Sequence, residues 1–232
     1  MSYADKKARL ATALAAQAAA GGPAFGLAKR TSNLFRDREA KARPRVDLSR
    51  FDEVIRVDPA AGIVEAEGMT TFEALADATL AHGTMPAVVP QLKSITLGGA
   101  VAGVGIEATS FRHGLVHDAV VALEVLTGDG RIVRCTADNE HADLFHGFAN
   151  SYGTLGYALS VTARTLPVRR CVEATRLRHT DAARAFEDLA ARCDDSTVDF
   201  LDGVVFSPGE IVISEGRFVD AAPWTSDYTY ER

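Results

Sequence analysis

The segment from Pro90 to Ile106, PQLKSITLGGAVAGVGI, limits what this chain can fold into more than any other stretch. Gly98, Gly99, Gly103 and Gly105 fall within eight residues, and the residues between them are alanine and valine. Glycine reaches positive φ at little steric cost and lets backbone approach a ligand closely. Successive exposed N–H groups form an anion-binding concavity. A flexible linker would carry serine or other polar spacers. The apolar spacing instead predicts a buried loop wrapped around a pyrophosphate. No lysine lies among the glycines, so backbone dipoles would do the neutralising.

The 232 residues suffice for one large domain or two small ones, and 47% hydrophobic with 24% charged residues is ordinary globular composition. A net charge of −6 argues against nucleic acid as a partner, because phosphate neutralisation needs a basic face. The basic run Lys29 to Arg45 reads as a solvated strip. Cys135, Cys171 and Cys193 are odd in number and far apart, which predicts no disulfide framework and a reducing, cytoplasmic setting. Met1 to Gly22 is alanine-rich but charged, so it reads as a helix ended by Gly21-Gly22-Pro23 rather than a signal peptide. No apolar run approaches the length of a membrane span.

Along the chain, Glu53–Val57 and Ile63–Glu67 read as strands joined by an Asp58–Gly62 turn. Thr70 with Glu73 matches a capping box opening a helix that stops at Gly83. Val120–Leu126 reads as an apolar strand returned by Gly128-Asp129-Gly130 into Arg131–Cys135. A short helix at Ala142–Phe148 precedes a second glycine-bearing turn, Ser151–Gly156, and the strand Tyr157–Leu166. Beyond Pro167 a β-α-β-β pattern restarts. It has strands at Val172–Arg178, Val198–Phe206 and Ile211–Phe218, and a helix at Asp181–Arg192 with Ala182, Phe186 and Leu189 inward. One helix and three strands make a thin unit, and an incomplete substrate domain is expected there.

Two motifs are rejected on context. Gly103-Val104-Gly105-Ile106-Glu107-Ala108 fits GxGxxA, with Glu124 at nearly the distance of a ribose contact, but no helix is expected after it. His113 and His117 stand four apart like zinc ligands, yet Gly114 separates them and no third ligand is near, so no metal is expected. No GxSxG elbow is present. Ser110 reads as a hydrogen-bond donor to an anion.

The order P-x-x-x-S-I-T-L-G-G-A-V-A-G-V-G, then S-F-R-H-G-L-V-H-D-A-V-x-x-L-E-V-L-T-G-D-G, then F-A-N-S-Y-G-T-L-G resembles the FAD-binding domain of the vanillyl-alcohol-oxidase / p-cresol-methylhydroxylase (PCMH-type) family, from about Gly26 to Pro167. The first loop, Leu27 to Phe35, departs from that family's glycine-rich form. It resembles the Δ24-sterol reductase branch, as does Ser226 to Tyr230.

The resemblance implies an α+β fold in which two small α+β subdomains clasp FAD, followed by a partial substrate (cap) domain. The expected division is an N-terminal helix at 1–24, the FAD-binding domain at 25–167 and the start of the substrate domain at 168–232. Carried over, Thr31, Ser32 and Asn33 would lie along the pyrophosphate. Thr96, Gly98, Gly99, Gly103 and Gly105 would form the second cradle. Ile106, Glu107, Ser110, Gly114 and His117 would run towards the ribityl chain and ring, and Gly153, Leu155 and Gly156 would back the adenine end. His117 equally reads as a structural histidine. Some relatives link flavin through a His or Cys, and none occurs between Gly26 and Phe35, so FAD is expected to be non-covalent. The implied activity is flavin-mediated hydride transfer to or from an apolar, sterol- or prenyl-like small molecule. An aldose- or alcohol-type oxidase, an FAD-binding fragment without turnover and a non-flavin α+β protein stand as alternatives. No catalytic acid or base, electron acceptor or oligomeric state is readable.

Overall fold

The structure is a computed structural model that describes residues 1–19, 26–28 and 45–227. Eleven strands are described: β1 (Gly26–Ala28), β2 (Arg45–Asp47), β3 (Val54–Asp58), β4 (Ile63–Glu67), β5 (Thr84–Pro86), β6 (Val120–Leu126), β7 (Ile132–Thr136), β8 (Tyr157–Pro167), β9 (Cys171–His179), β10 (Phe200–Ser207) and β11 (Glu210–Val219). The helices are α1 (Tyr3–Ala19), α2 (Phe72–Leu80), α3 (Leu97–Gly103), α4 (Ser110–His113), α5 (Ala142–Phe148) and α6 (Ala182–Asp194). The chain is therefore α+β.

The larger sheet has the order β3-β4-β8-β6-β7, with β5 added to the far end of β8, and every pairing in it is antiparallel. An antiparallel sheet has no parallel βαβ crossover, so it cannot carry a Rossmann site at Gly103–Ala108. A one-turn helix, α4, does follow that motif, contrary to expectation.

Residues of α2, α3 and α5 cover one face of this sheet, where Phe72, Leu75, Leu97, Val101 and Phe148 meet Val64, Leu123, Val125 and Val161. The other face packs Leu10 and Leu14 of α1 with Leu48, Phe51, Leu126 and Leu159. The two faces are reconciled by a bulge. Glu124 pairs with Ser160 but Val125 pairs with Ala158, so one extra residue sits in β8. Leu159 joins the α1 side, while Ala158 and Val161 both face α3.

Buried charge also fastens α1. Lys6 Nζ lies 2.7 Å from Glu67 and 2.9 Å from Glu53, with Lys6 and Glu67 both buried. Lys7 is 2.9 Å from Glu124, which also accepts the Tyr3 hydroxyl.

The cap of α2 is one residue later than expected. Thr70 is buried and donates its hydroxyl to the Glu53 carbonyl (3.1 Å). Thr71 takes its place, accepting the Ala74 N–H at 3.3 Å, and the Glu73 carboxylate pairs with Lys93 at 2.9 Å instead of reaching back.

Residues 171–219 form a second unit, a β10-β11-β9 antiparallel sheet with α6 across one face. Asp181 caps α6 through the Arg184 N–H (2.9 Å). That start turns Ala185 to the sheet, with Leu189 packed against Val198, Leu201 and Ile213. Ala182 and Phe186, expected inward, are exposed. Beneath α6 lies an ionic network: Arg192 with Asp188 (3.1 Å) and Glu215, and Arg217 with Glu215 (3.3 Å) and Asp195 (3.1 Å).

The backbone N–H and hydroxyl of Thr197, with Arg217, hold the Asp195 carboxyl down at about 2, against an ordinary 3.8. A depressed carboxylate contributes stability above its unfolded value and loses it as pH falls through the folded one. This unit is therefore expected to lose a small, solvent-screened share of its stability between those two values. An Asp195→Asn variant followed by circular dichroism should titrate less steeply there.

Candidate cofactor site

The glycine cluster, expected as a loop, begins as helix α3. Leu97, Ala100 and Val101 are buried at i, i+3 and i+4, and that stripe holds the segment helical against the sheet. Thr96 is its extended N-cap residue, and its side chain makes no capping bond. The first-turn donors are unequally used. Leu97 N–H donates to Thr70 O (2.9 Å), Gly98 N–H to Gly68 O (2.8 Å) and Ala100 N–H to Thr96 O (2.9 Å). Gly99 is exposed, and among the described residues its N–H has no backbone acceptor.

The glycines divide into two kinds. A Cβ on Gly98 would stand 2.9 Å from Gly68 O and 3.2 Å from the Ala158 Cβ, and one on Gly105 would stand 2.8 Å from Val116 Cγ2. These two glycines serve the close packing of α3 and its following loop. A Cβ on Gly99 would meet only the movable Thr96 hydroxyl (2.8 Å), and one on Gly103 only the Tyr152 ring (3.9 Å). Gly99 and Gly103 leave open space beside Thr96 and Ile106, and Ile106 is 74% exposed.

Val104 leaves α3 at φ 60° and ψ 94°, an outlier for a β-branched residue. It has no sequence signal. The second glycine turn adjoins it, since Tyr152 N–H donates to Ala102 O at 3.0 Å. Asn150 (φ 57°) and Tyr152 (φ 49°) are also left-handed there, so all the non-glycine positive-φ residues among the described residues gather at this junction. Strain of this kind persists where the surroundings over-determine it and concentrates at binding sites. Gly153 (φ 82°) and Gly156 (φ 143°) shape the turn, and Leu155 is exposed on it.

From Ile106 the chain runs into α4. Ser110 Oγ accepts the Glu107 N–H at 2.9 Å, leaving its own hydroxyl proton to donate. Burial raises the Glu107 carboxyl, and Asp202 of the second unit pushes it the same way. Burial and the neighbouring Arg112 lower His113, which keeps it neutral at pH 7. Gly114 ends α4 at φ 75° with Asp118 pressed against the place of a Cβ.

His117 points elsewhere. It lines a cleft of about 550 Å³ with Asp118, Asp138, Phe145, His146 and Arg164, and none of the glycines borders it. Its Nδ1 is buried without a partner among the described residues, and Nε2 is 3.7 Å from Asp118. Thr31, Ser32 and Asn33 lie outside the described residues. The structure thus sets Gly99 beside Thr96 and Gly103 beside Tyr152 of the 150–156 turn, with exposed Ile106 following in the chain, and this open backbone beside apolar surface fits FAD.

The chain matches a family described as FAD binding domain over residues 3–136. It is 32% identical over 183 residues to a Delta(24)-sterol reductase of Pisum sativum, covering 75% of this chain and 32% of the relative. It is 31% identical over 174 residues to that of Homo sapiens (73% and 33%). It is 31% identical over 150 residues to Cytokinin dehydrogenase 7 of Oryza sativa subsp. japonica (63% and 28%). The chain spans about a third of the length of these curated relatives. The match takes in α1, which packs against the sheet that carries α3 on its other face, and every element of the glycine-rich rim up to β7. The chain belongs to the FAD binding domain family, of PCMH type.

Proposed function

We propose that this chain is the cofactor-binding part of an FAD-dependent oxidoreductase that moves a hydride to or from an apolar, sterol- or prenyl-like small molecule. One observation carries the reading: Gly99 has an N–H with no backbone acceptor among the described residues, Gly103 borders open space, and exposed Ile106 follows in the chain. The relatives are named as a reductase and a dehydrogenase, which leaves the direction of transfer open. Bound FAD supplies the two-electron chemistry, and the protein positions it and excludes water. In this reading Gly99 binds through its N–H, Thr96 and Ser110 donate hydroxyl protons to anionic oxygen, and Ile106 offers apolar cover. Glu107, its carboxyl raised by burial and by Asp202, lies near the seam between the units. The reading includes a reducing, cytoplasmic setting, in which the odd number of widely spaced cysteines would stay as thiols.

The purified protein is expected to absorb near about 370 and 450 nm, with the chromophore released by acid precipitation as a non-covalent flavin should be. A colourless protein that added FAD does not stabilise would sink the proposal. Gly99→Val should fold as the parent does, since it is exposed and meets only Thr96. Its FAD affinity should fall at least about tenfold, read by fluorescence titration.

A further inference from the structure

The segment Gly105–Gly114 is fastened on two sides. Towards the first unit, Val116 N–H donates to Gly105 O (3.0 Å) and the buried Thr109 hydroxyl to Ala87 O (2.8 Å). Towards the second unit, Leu201 N–H donates to Ala108 O (2.8 Å). Phe111 packs against Val198, Leu201 and Ile213. Arg112 reaches across as well. One guanidinium nitrogen donates to Asp195 O at 2.9 Å and to Val198 O at 3.0 Å, while the group lies 4.9 Å from the Phe111 ring centroid.

Asp195 is the C-cap of α6, where helix carbonyls lack intrahelical partners and the dipole favours a cation. A charged donor shared between two carbonyls is among the stronger kinds of hydrogen bond. Arg112 itself is exposed, so nothing in the core requires it.

We propose that Arg112 is a positioning residue that clamps the second unit to the cofactor rim through α4, so that FAD binding and docking of the β10-β11-β9 sheet are linked. The proposal rests on the FAD reading above. A ligand that orders the 103–110 backbone orders the near end of this clamp, and the clamp passes that order to the loop after α6. Linkage then requires the reverse: docking raises FAD affinity by the same factor as FAD raises docking, and that factor is lost with the clamp.

Amide exchange followed by mass spectrometry on the whole chain, with and without FAD, tests this beside a fluorescence titration of FAD. In the parent protein, FAD should slow exchange at 195–201 as well as at 103–112. In Arg112→Ala, exchange at 195–201 without FAD should rise about tenfold, the loss of one charge-assisted bond. FAD should no longer slow it, and FAD affinity should fall by the factor that the coupling loses. Arg112→Lys, which keeps the charge and the donors, should restore the FAD response at 195–201. If FAD binds the parent tightly yet leaves 195–201 unchanged, the coupling is wrong and the cofactor reading stands. If Arg112→Ala speeds exchange equally with and without FAD and leaves affinity intact, Arg112 is a structural tie and the proposal fails. Absence of FAD binding by the parent overturns both.

Discussion

Gly68→Ala is expected to be strongly destabilising. A Cβ there would fall 2.8 Å from the Ala158 carbonyl carbon and closer still to its oxygen, a backbone group that cannot swing aside. The same residue supports both neighbours: its N–H donates to Leu159 O (2.9 Å) and its carbonyl accepts the Gly98 N–H (2.8 Å). Relief therefore requires β8 or α3 to shift. Overpacking against backbone should cost about 3 kcal/mol or more, which lowers Tm by roughly 6–12 °C for a chain of this size. Because α3 carries Gly99, whatever flavin the protein holds should be lost before the chain melts. Gly209→Ala, where a Cβ meets nothing within 4 Å, is the control and should change stability by no more than about 0.5 kcal/mol. Calorimetry on the pair decides it, and equal melting would mean that α3 does not sit on the 67–70 turn.

Lys6→Met should destabilise the fold by about 3–5 kcal/mol, because it strands a buried carboxylate. Glu67 is 1% exposed, and its Oε1 has no hydrogen-bond partner among the described residues even with Lys6 present. Removing the ammonium leaves that charge with backbone donors alone, chiefly the Glu53 N–H at 2.9 Å. Tm should fall by roughly 6–20 °C. The double variant Lys6→Met with Glu67→Leu should recover most of the loss, since an apolar pair of similar volume carries no desolvation penalty. Failure to recover would show that the pair holds α1 by geometry rather than by charge. Burial acts to lower the Lys6 ammonium, but its bonds to Glu67 and Glu53 outweigh this and hold it above the ordinary 10.5. A raised lysine contributes fully below its unfolded value and is lost above it, so the Lys6 contribution should persist to pH 10.5 and fade beyond.

The strands were legible because their patterns are local. Ile63–Glu67 and Val120–Leu126 run between turn residues, and both are strands over those same residues. Helix α3 was not legible, because two glycines near its start weigh against helix. What overrides the propensity is tertiary: Gly98 lets the helix approach Gly68 closely enough to hydrogen-bond. Phe186 looked like core because it is the largest apolar residue of α6, yet the Asp181 cap sets a phase that turns it to solvent.

At the site, the sequence reading gave the four glycines of the cluster one role, that of a cradle. Gly98 and Gly105 are there for packing, whereas Gly99 and Gly103 border open space. Only the backbone geometry separates them. Arg112 lay inside a motif used for family resemblance, but its partners are carbonyls, which carry no side-chain signature. Val104 looks like any other apolar residue until its φ is known.

The extra residue in β8 makes chain length, rather than residue identity, the guarded quantity in that strand. Side chains on a strand alternate, and Leu159 is the residue beyond that alternation, so deleting it would restore a regular pleat with Ala158 still opposite Val125 and would remove only its own contact on the α1 side. Substitutions in β8 can drift among similar apolar residues, and the bulge absorbs a one-residue deletion, but a one-residue insertion between Tyr157 and Val161 would put the two halves of the rim out of phase.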